Sequence, residues 1–315
     1  MNNLISINLI YFFFYLIITV IISSAPMIKT TAAVEPACKT HCGPLEIKYP
    51  FGTGHGCGSP RFHPYVTCSS AAGSGGEGEL RLTTHTGSYQ ITSISYSDSV
   101  LTVAPPCMSN CTSMQPSPAN FGLDWAGPFQ LGPSTFILLA CSPETYSITV
   151  KGNPICDPSS LYLCADIYTC PGVVALGLPL FPPTNTCCVY SPVNLGPEDE
   201  LDLEALGCEG YSSVVALGDF PTDPARWRYG VALKYTLGGL DGYDVAPSCR
   251  GCEQSGGVCG YAPPRNSFVC VCGKYGNTTT DCYSYNWIYT SSSVLSSGSI
   301  WQGILAAVSI FLILN

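Results

Sequence analysis

The sequence predicts a mainly β, disulfide-rich, secreted ectodomain of two small cysteine-rich modules with one short helix. Three observations carry that reading. All 19 cysteines lie between Cys38 and Cys282, clear of both apolar ends, at a density that belongs in an oxidising compartment. Gly (32) and Pro (26) are abundant while only 10% of residues are charged, which favours short strands and turns over long helices. Apolar and polar residues alternate in stretch after stretch, the period-2 pattern of half-buried strands.

Residues 4–22 form an almost uninterrupted apolar run, followed by the small-residue cleavage candidates Ser23-Ser24-Ala25 and Thr31-Ala32-Ala33. Residues 1–33 therefore read as a secretory signal peptide. No Lys or Arg precedes the run, which leaves an uncleaved anchor as the alternative. The first module is expected over 34–150. Within it, Leu45-Glu46-Ile47-Lys48-Tyr49 alternates like a strand, Pro50 ends that strand by removing a donor, and glycines at 52, 54, 56 and 58 permit tight turns. Further strands are predicted at Leu80-Arg81-Leu82, along 89–94, along 100–103, and at Tyr146-Ser147-Ile148-Thr149-Val150.

The second module is expected over 151–290. Pro197 at a first helical position, Glu198-Asp199-Glu200 on the positive end of the dipole, and Gly207 as a stop predict the one helix. A strand follows in which Val231, Leu233 and Tyr235 share a face. Six cysteines close the module: Cys249, Cys252, Cys259, Cys270, Cys272 and Cys282. Residues 291–315 combine small residues, a short spacer and a terminal apolar tail, the signals of a glycosylphosphatidylinositol anchor with Ser291 as the attachment residue. A single C-terminal membrane segment is the alternative.

The richest stretch is 38–68. It runs Cys38-x3-Cys42-Gly43, then Ile47-x-Tyr49-Pro50-Phe51-Gly52, then Gly56-Cys57-Gly58-x-Pro60-x-Phe62, and closes at Cys68. This order closely resembles the galacturonan-binding module of plant wall-associated receptor kinases. The closing block, with Gly256-Gly257-x-Cys259-Gly260-Tyr261 and Phe268-x-Cys270-x-Cys272, is similar to the cysteine-rich C-terminal part of the same extracellular region. Its Cys-x-Cys and final Cys are also similar to an epidermal-growth-factor-like repeat. The resemblance implies disulfide-bonded modules that bind pectic polysaccharide at the outer face of the plasma membrane, facing the cell wall. It stops short of catalysis, because no glycine-rich nucleotide loop, His-Arg-Asp or Asp-Phe-Gly is present.

The residues themselves agree that this is not an enzyme. No Gly-x-Ser-x-Gly elbow occurs, and the carboxylates at 198–204 crowd one short segment and read as a solvated face. No cofactor and no metal are expected. A zinc site at Cys249-x2-Cys252 is outweighed by disulfide pairing at this cysteine density, and no calcium motif is present. Nineteen is odd, so a free thiol, an intermolecular bridge or an unusual pairing must remain.

Charge then locates the binding surface. The chain carries a net −9, which argues against indiscriminate affinity for polyanions, nucleic acid included. Residues 34–90, however, balance four basic against four acidic side chains and hold all four histidines, whereas 91–290 hold seven basic against seventeen acidic. Galacturonan is a chain of uronate carboxylates, so its contacts are expected in the first module, strengthened by histidine protonation in an acidic wall. The candidates are Lys39, His41, Lys48, Arg61 and His63, with Tyr49 and Phe51 as sugar-facing aromatics. Arg61 is suited to a bidentate grip on a carboxylate. The alternative function is a protein-recognising co-receptor or ligand-presenting surface protein, with signalling through a membrane co-receptor or kinase. Asn277 and Asn110 lie in glycosylation sequons.

Overall fold

The computed structural model describes residues 38–69, 78–117, 121–124, 126–150, 152–181, 186–190, 200–237, 245–273 and 276–283. The expected signal peptide (1–33), the anchor segment (291–315) with Ser291, and the start of the expected helix at Pro197 lie outside these residues.

The mainly β, disulfide-rich architecture is present. The largest sheet has six antiparallel strands in the order Val66–Ser69, Glu79–Thr84, Gly87–Ser95, Val100–Ala104, Val231–Tyr235, Phe129–Leu131. Alternation decides its inner face: Leu80, Leu82, Tyr89, Ile91, Leu101, Val103, Val231 and Leu233 are all buried, while Gln90 and Lys234 on the same strands are exposed. Tyr235 shares the buried face with Val231 and Leu233, as their spacing predicts. A four-stranded sheet follows the order Cys187–Tyr190, Thr135–Leu139, Gly210–Ala216, Arg228–Tyr229. Its inner strand carries Phe136-Ile137-Leu138-Leu139, an unbroken apolar run buried on both faces. Residues on either side of the expected 150/151 boundary share both sheets, because strands from 210–235 pair with strands from 100–139.

Three local expectations are corrected. The helix predicted from Pro197 to Gly207 is not formed over its described part. Glu200–Leu201 is a strand paired with Phe121–Gly122, and one turn follows in which Asp202 Oδ1 accepts the Ala205 N–H (3.0 Å) before Gly207 reverses the chain at φ +66°. Leu201 is buried on the strand and Leu203 in the turn that follows it. The strand predicted over 146–150 shrinks to Thr149–Val150, because Pro143–Ser147 winds into a 3-10 helix begun by its proline. In place of the one expected helix, the described residues form two α-helices, Leu161–Ile167 and Val245–Gln254. Pro247 and Gly251 hide the second from any propensity argument, and Cys249 and Cys252 bolt it to the sheet beneath.

Eighteen cysteines form nine disulfides in three separate blocks. Cys38–Cys57 and Cys42–Cys68 close the first. Cys111–Cys170, Cys141–Cys208, Cys156–Cys188 and Cys164–Cys187 close the second. In the third, Cys249–Cys259 and Cys252–Cys270 tie the helix Val245–Gln254 to the strands Val258–Ala262 and Ser267–Val271, and Cys272–Cys282 closes the segment that carries the strand Asn277–Thr278. The unpaired cysteine is Cys107, half-buried as a free thiol. The sulfurs of Cys270, Cys272 and Cys282 lie within 4.8 Å of one another, but each is already in a disulfide, so the group offers no thiolates.

Gly257 sits against this sulfur cluster. A Cβ placed there would meet the Sγ atoms of Cys270 and Cys282 at 2.6 Å and of Cys252 at 2.9 Å, and cross-linked sulfurs have little room to yield. Gly257→Ala is expected to destabilise the fold by about 1–3 kcal/mol through overpacking. The measurement is the denaturant midpoint of the purified variant against the parent chain.

Candidate functional site

Residues 38–63 form a folded-over loop whose shape follows from its glycines. Gly43, at φ +56°, turns the hairpin His41–Cys42/Leu45–Glu46. Gly52 and Gly58 let two stretches of backbone touch: a Cβ on Gly52 would fall 2.3 Å from the Cys57 carbonyl oxygen, and one on Gly58 would fall 2.6 Å from the Phe51 carbonyl. The Ser59 N–H donates to the Pro50 carbonyl (2.8 Å), and the Tyr49–Pro50 peptide is cis.

Phe51 is not a sugar-facing aromatic. Only 1% of its surface is exposed, and its ring packs edge-on against Phe62 (5.5 Å) and Tyr235 (4.9 Å). An apolar ring contributes more inside such a cluster than in water, and that decides its place. Tyr49 is half-buried. Its N–H donates to Glu253 Oε1 (3.0 Å), and its side chain packs on the cysteine cluster of the third block.

Lys48 lies on the same flank. Its ammonium is 2.8 Å from the Glu46 carboxylate and 6.0 Å above the Tyr96 ring. The hydrogen bond to Glu46 raises Lys48 above the ordinary lysine value, with Glu253 adding to it. The Lys48 N–H donates to the Tyr96 hydroxyl, which donates to the Glu46 carbonyl, each at 2.9 Å. Burial raises the Tyr96 hydroxyl far above the ordinary tyrosine value, so it stays a neutral donor. Lys48 is thus partly neutralised before any ligand arrives, as is Arg81, 2.8 Å from Glu79.

The other candidates surround the Cys38–Cys57 disulfide and the loop after it. Exposed Lys39 donates its backbone N–H to Thr53 Oγ1 (2.8 Å). Half-buried Arg61 reaches the Thr236 carbonyl with Nη1 at 3.5 Å. His41 is exposed on the small hairpin, where Nδ1 is 3.1 Å from Thr40 Oγ1. Half-buried His63 stands beside His55, with ring centres 5.5 Å apart and planes nearly perpendicular. Both imidazoles lie over Tyr261, at 5.9 Å from His55 and 6.4 Å from His63.

Tyr261 belongs to the third disulfide block, and main-chain pairing brings it here. The Gly58 N–H donates to the Cys259 carbonyl (2.7 Å), and the Tyr261 N–H donates to the Gly56 carbonyl (2.9 Å), so the 56–58 backbone runs as an added strand along the sheet edge. Gly260 permits the approach, since a Cβ there would fall 2.2 Å from the Gly56 oxygen. Sequence reasoning passed over His55 and Tyr261 as contacts. The Gly-His-Gly setting was a signal for an exposed imidazole, but nothing local points to a tyrosine 200 residues away.

With this geometry in place, comparison with known proteins is informative. Residues 38–105 match the family described as wall-associated receptor kinase galacturonan-binding. Residues 225–275 match the family described as wall-associated receptor kinase C-terminal. Two stretches of the chain are therefore similar to the extracellular modules of wall-associated receptor kinases. These modules belong to receptor ectodomains and are not catalytic domains, and no kinase domain lies within the 315 residues. The wall-associated receptor kinase-like 20 protein of Arabidopsis thaliana is 26% identical over 210 residues, which cover 64% of this chain and 29% of that relative. The alignment thus spans under a third of the relative's length. No solved structure matches the chain. Wall-associated kinase ectodomains face the cell wall, and among the described residues no helix is long and apolar enough to cross a membrane.

Phe51→Ala is expected to cost about 3–5 kcal/mol, the range for emptying a buried aromatic site. Thermal unfolding checks it. A midpoint unchanged from the parent chain would contradict the core role assigned to Phe51.

Proposed function

We propose that this chain binds pectic polysaccharide, galacturonan, without catalysis, through residues 38–105, at the outer face of the plasma membrane. The observation that carries the reading is the match of 38–105 to a galacturonan-binding family. The charge pattern supports it: the acidic excess of the chain lies after residue 90, while Lys39, His41, Arg61 and His63 cluster before it. A uronate polymer needs donors and cations, and protonated histidines add both in an acidic wall. Arg61 and Lys39 are the contacts we favour, with Lys48 and Tyr49 at the margin.

The same proposal places glycans on Asn277, exposed on the last described strand, and on Asn110, whose Oδ1 accepts from Thr112 and Ser113. It also places a lipid anchor at Ser291 or a single C-terminal membrane segment, with signalling handed to a membrane co-receptor or kinase. One observation favours the second reading, a protein-recognising co-receptor. Tyr162, Val174, Leu180 and Phe181 are large apolar side chains exposed between residues 162 and 181, a segment outside both family matches.

The test is a titration of the secreted chain with oligogalacturonides at pH 5.5 and 7.5, with and without calcium, beside a neutral glucan. Selective binding to galacturonide that weakens roughly tenfold in Arg61→Ala is expected for loss of a charge-assisted contact. No binding under any condition would leave the protein-recognising reading as the better account.

A further inference from the structure

We propose that His55 and His63, carried on Tyr261, form an acid-gated clamp for the carboxylates of a uronate chain. The proposal rests on the galacturonan reading above and names the part of the surface that responds to pH.

The geometry is specific. Two imidazoles from one loop stand 5.5 Å apart over a tyrosine ring supplied by the other family-matched module. Tyr261 is 9% exposed, His63 is half-buried and His55 is exposed, so the pair forms a solvent-facing layer on a buried floor. Its position is held by backbone and not by side-chain chance. The Gly58–Cys259 and Tyr261–Gly56 hydrogen bonds and the Cys38–Cys57 disulfide fix the loop just after His55, and the Lys39 N–H to Thr53 Oγ1 hydrogen bond holds it just before.

The surrounding charges are consistent with an anion partner. On the loop itself the charged group next to the pair is Arg61, and Lys39 is tied to the same loop at Thr53. The packed sheet edge contributes the Tyr261 ring. Among the described residues no carboxylate is hydrogen-bonded or ion-paired to either imidazole, unlike His85, whose Nδ1 is 2.6 Å from Asp124 Oδ1. His85 is satisfied internally, whereas His55 and His63 meet each other and an aromatic ring.

Two imidazolium charges at this separation repel, and a carboxylate that accepts an N–H from each ring on the solvent side turns that repulsion into two charge-assisted hydrogen bonds. The aromatic ring of Tyr261 favours nearby cations. Acid therefore charges the clamp, and a uronate chain holds it charged. By linkage, binding near neutral pH must draw protons from solution. A methyl-esterified chain lacks the anions and gains nothing from the clamp.

The experiment compares the full secreted chain with the double variant His55→Gln/His63→Gln, which keeps polar side chains of similar reach but cannot be protonated. Affinity for de-esterified oligogalacturonide is measured by calorimetry at pH 5.5 and 7.5. At pH 6.5 the titration is repeated in two buffers of different ionisation enthalpy, so that proton uptake is read directly. The parent chain is expected to bind roughly tenfold more tightly at pH 5.5 than at 7.5, the scale of a charged hydrogen bond gained, and to take up protons on binding. The double variant is expected to lose the acid gain, binding no more tightly at pH 5.5 than at 7.5, and to take up no protons. A double variant that retains the gain and the proton uptake overturns the clamp and leaves the galacturonan reading standing. A parent chain that binds no galacturonide at either pH overturns both.

Discussion

Phe51 packs edge-on against Tyr235 with ring centres 4.9 Å apart, and much of the molecule depends on that contact. Tyr235 ends a strand that sits inside the six-stranded sheet, between Val100–Ala104 and Phe129–Leu131. Phe51 is the apex of the Tyr-Pro-Phe-Gly loop. One buried aromatic contact thus joins a short N-terminal loop to a strand nearly two hundred residues later, and Phe62 and Phe129 extend the cluster. Burial pushes the Tyr235 hydroxyl up to about 12, so the ring meets Phe51 as a neutral group. With the loop seated, its glycine-rich tip can lie along the edge of Val258–Ala262 and bring the histidines to Tyr261.

Some of this was legible in the sequence and some was not, for physical reasons. The strands around Leu80, Ile91, Leu101 and Val231 were legible because period-2 alternation is a local pattern and burial on one face obeys it. The acidic stretch before Gly207 misled because propensity and capping residues favour a helix there, while pairing of Glu200–Leu201 with Phe121–Gly122 and burial of Leu201 prevail. The helix Val245–Gln254 runs the other way: its proline and glycine disfavour it, and two disulfides impose it. Phe51 stands in the sequence as a candidate sugar-facing aromatic, and only the Tyr235 ring beside it places it in the core. His55 entered the sequence reading only as part of a charge balance, since its significance comes from a neighbour that folding supplies.

The placement of charge follows a similar division. Lys48 and Arg81 stabilise the module locally against Glu46 and Glu79. Glu253 reaches from the third block to cap the Tyr49 N–H, a polar contact at the seam where Tyr49 also packs. The joint between the two family-matched regions is therefore made of main-chain hydrogen bonds, a carboxylate cap, the Arg61–Thr236 contact and side-chain packing. None of its links is covalent.

That last point has a mechanical side. The disulfides span between 10 and 67 residues and fall into three closed blocks, with no bridge from one block to another. The chain between the blocks, residues 69–110 and 209–248, carries the strands Glu79–Thr84, Gly87–Ser95, Val100–Ala104 and Val231–Tyr235, four of the six in the main sheet. If the two ends are pulled apart, hydrogen-bonded ladders yield at forces far below those that break a covalent bond. The blocks then behave as inextensible beads, and the main sheet becomes the length of cord that pays out between them.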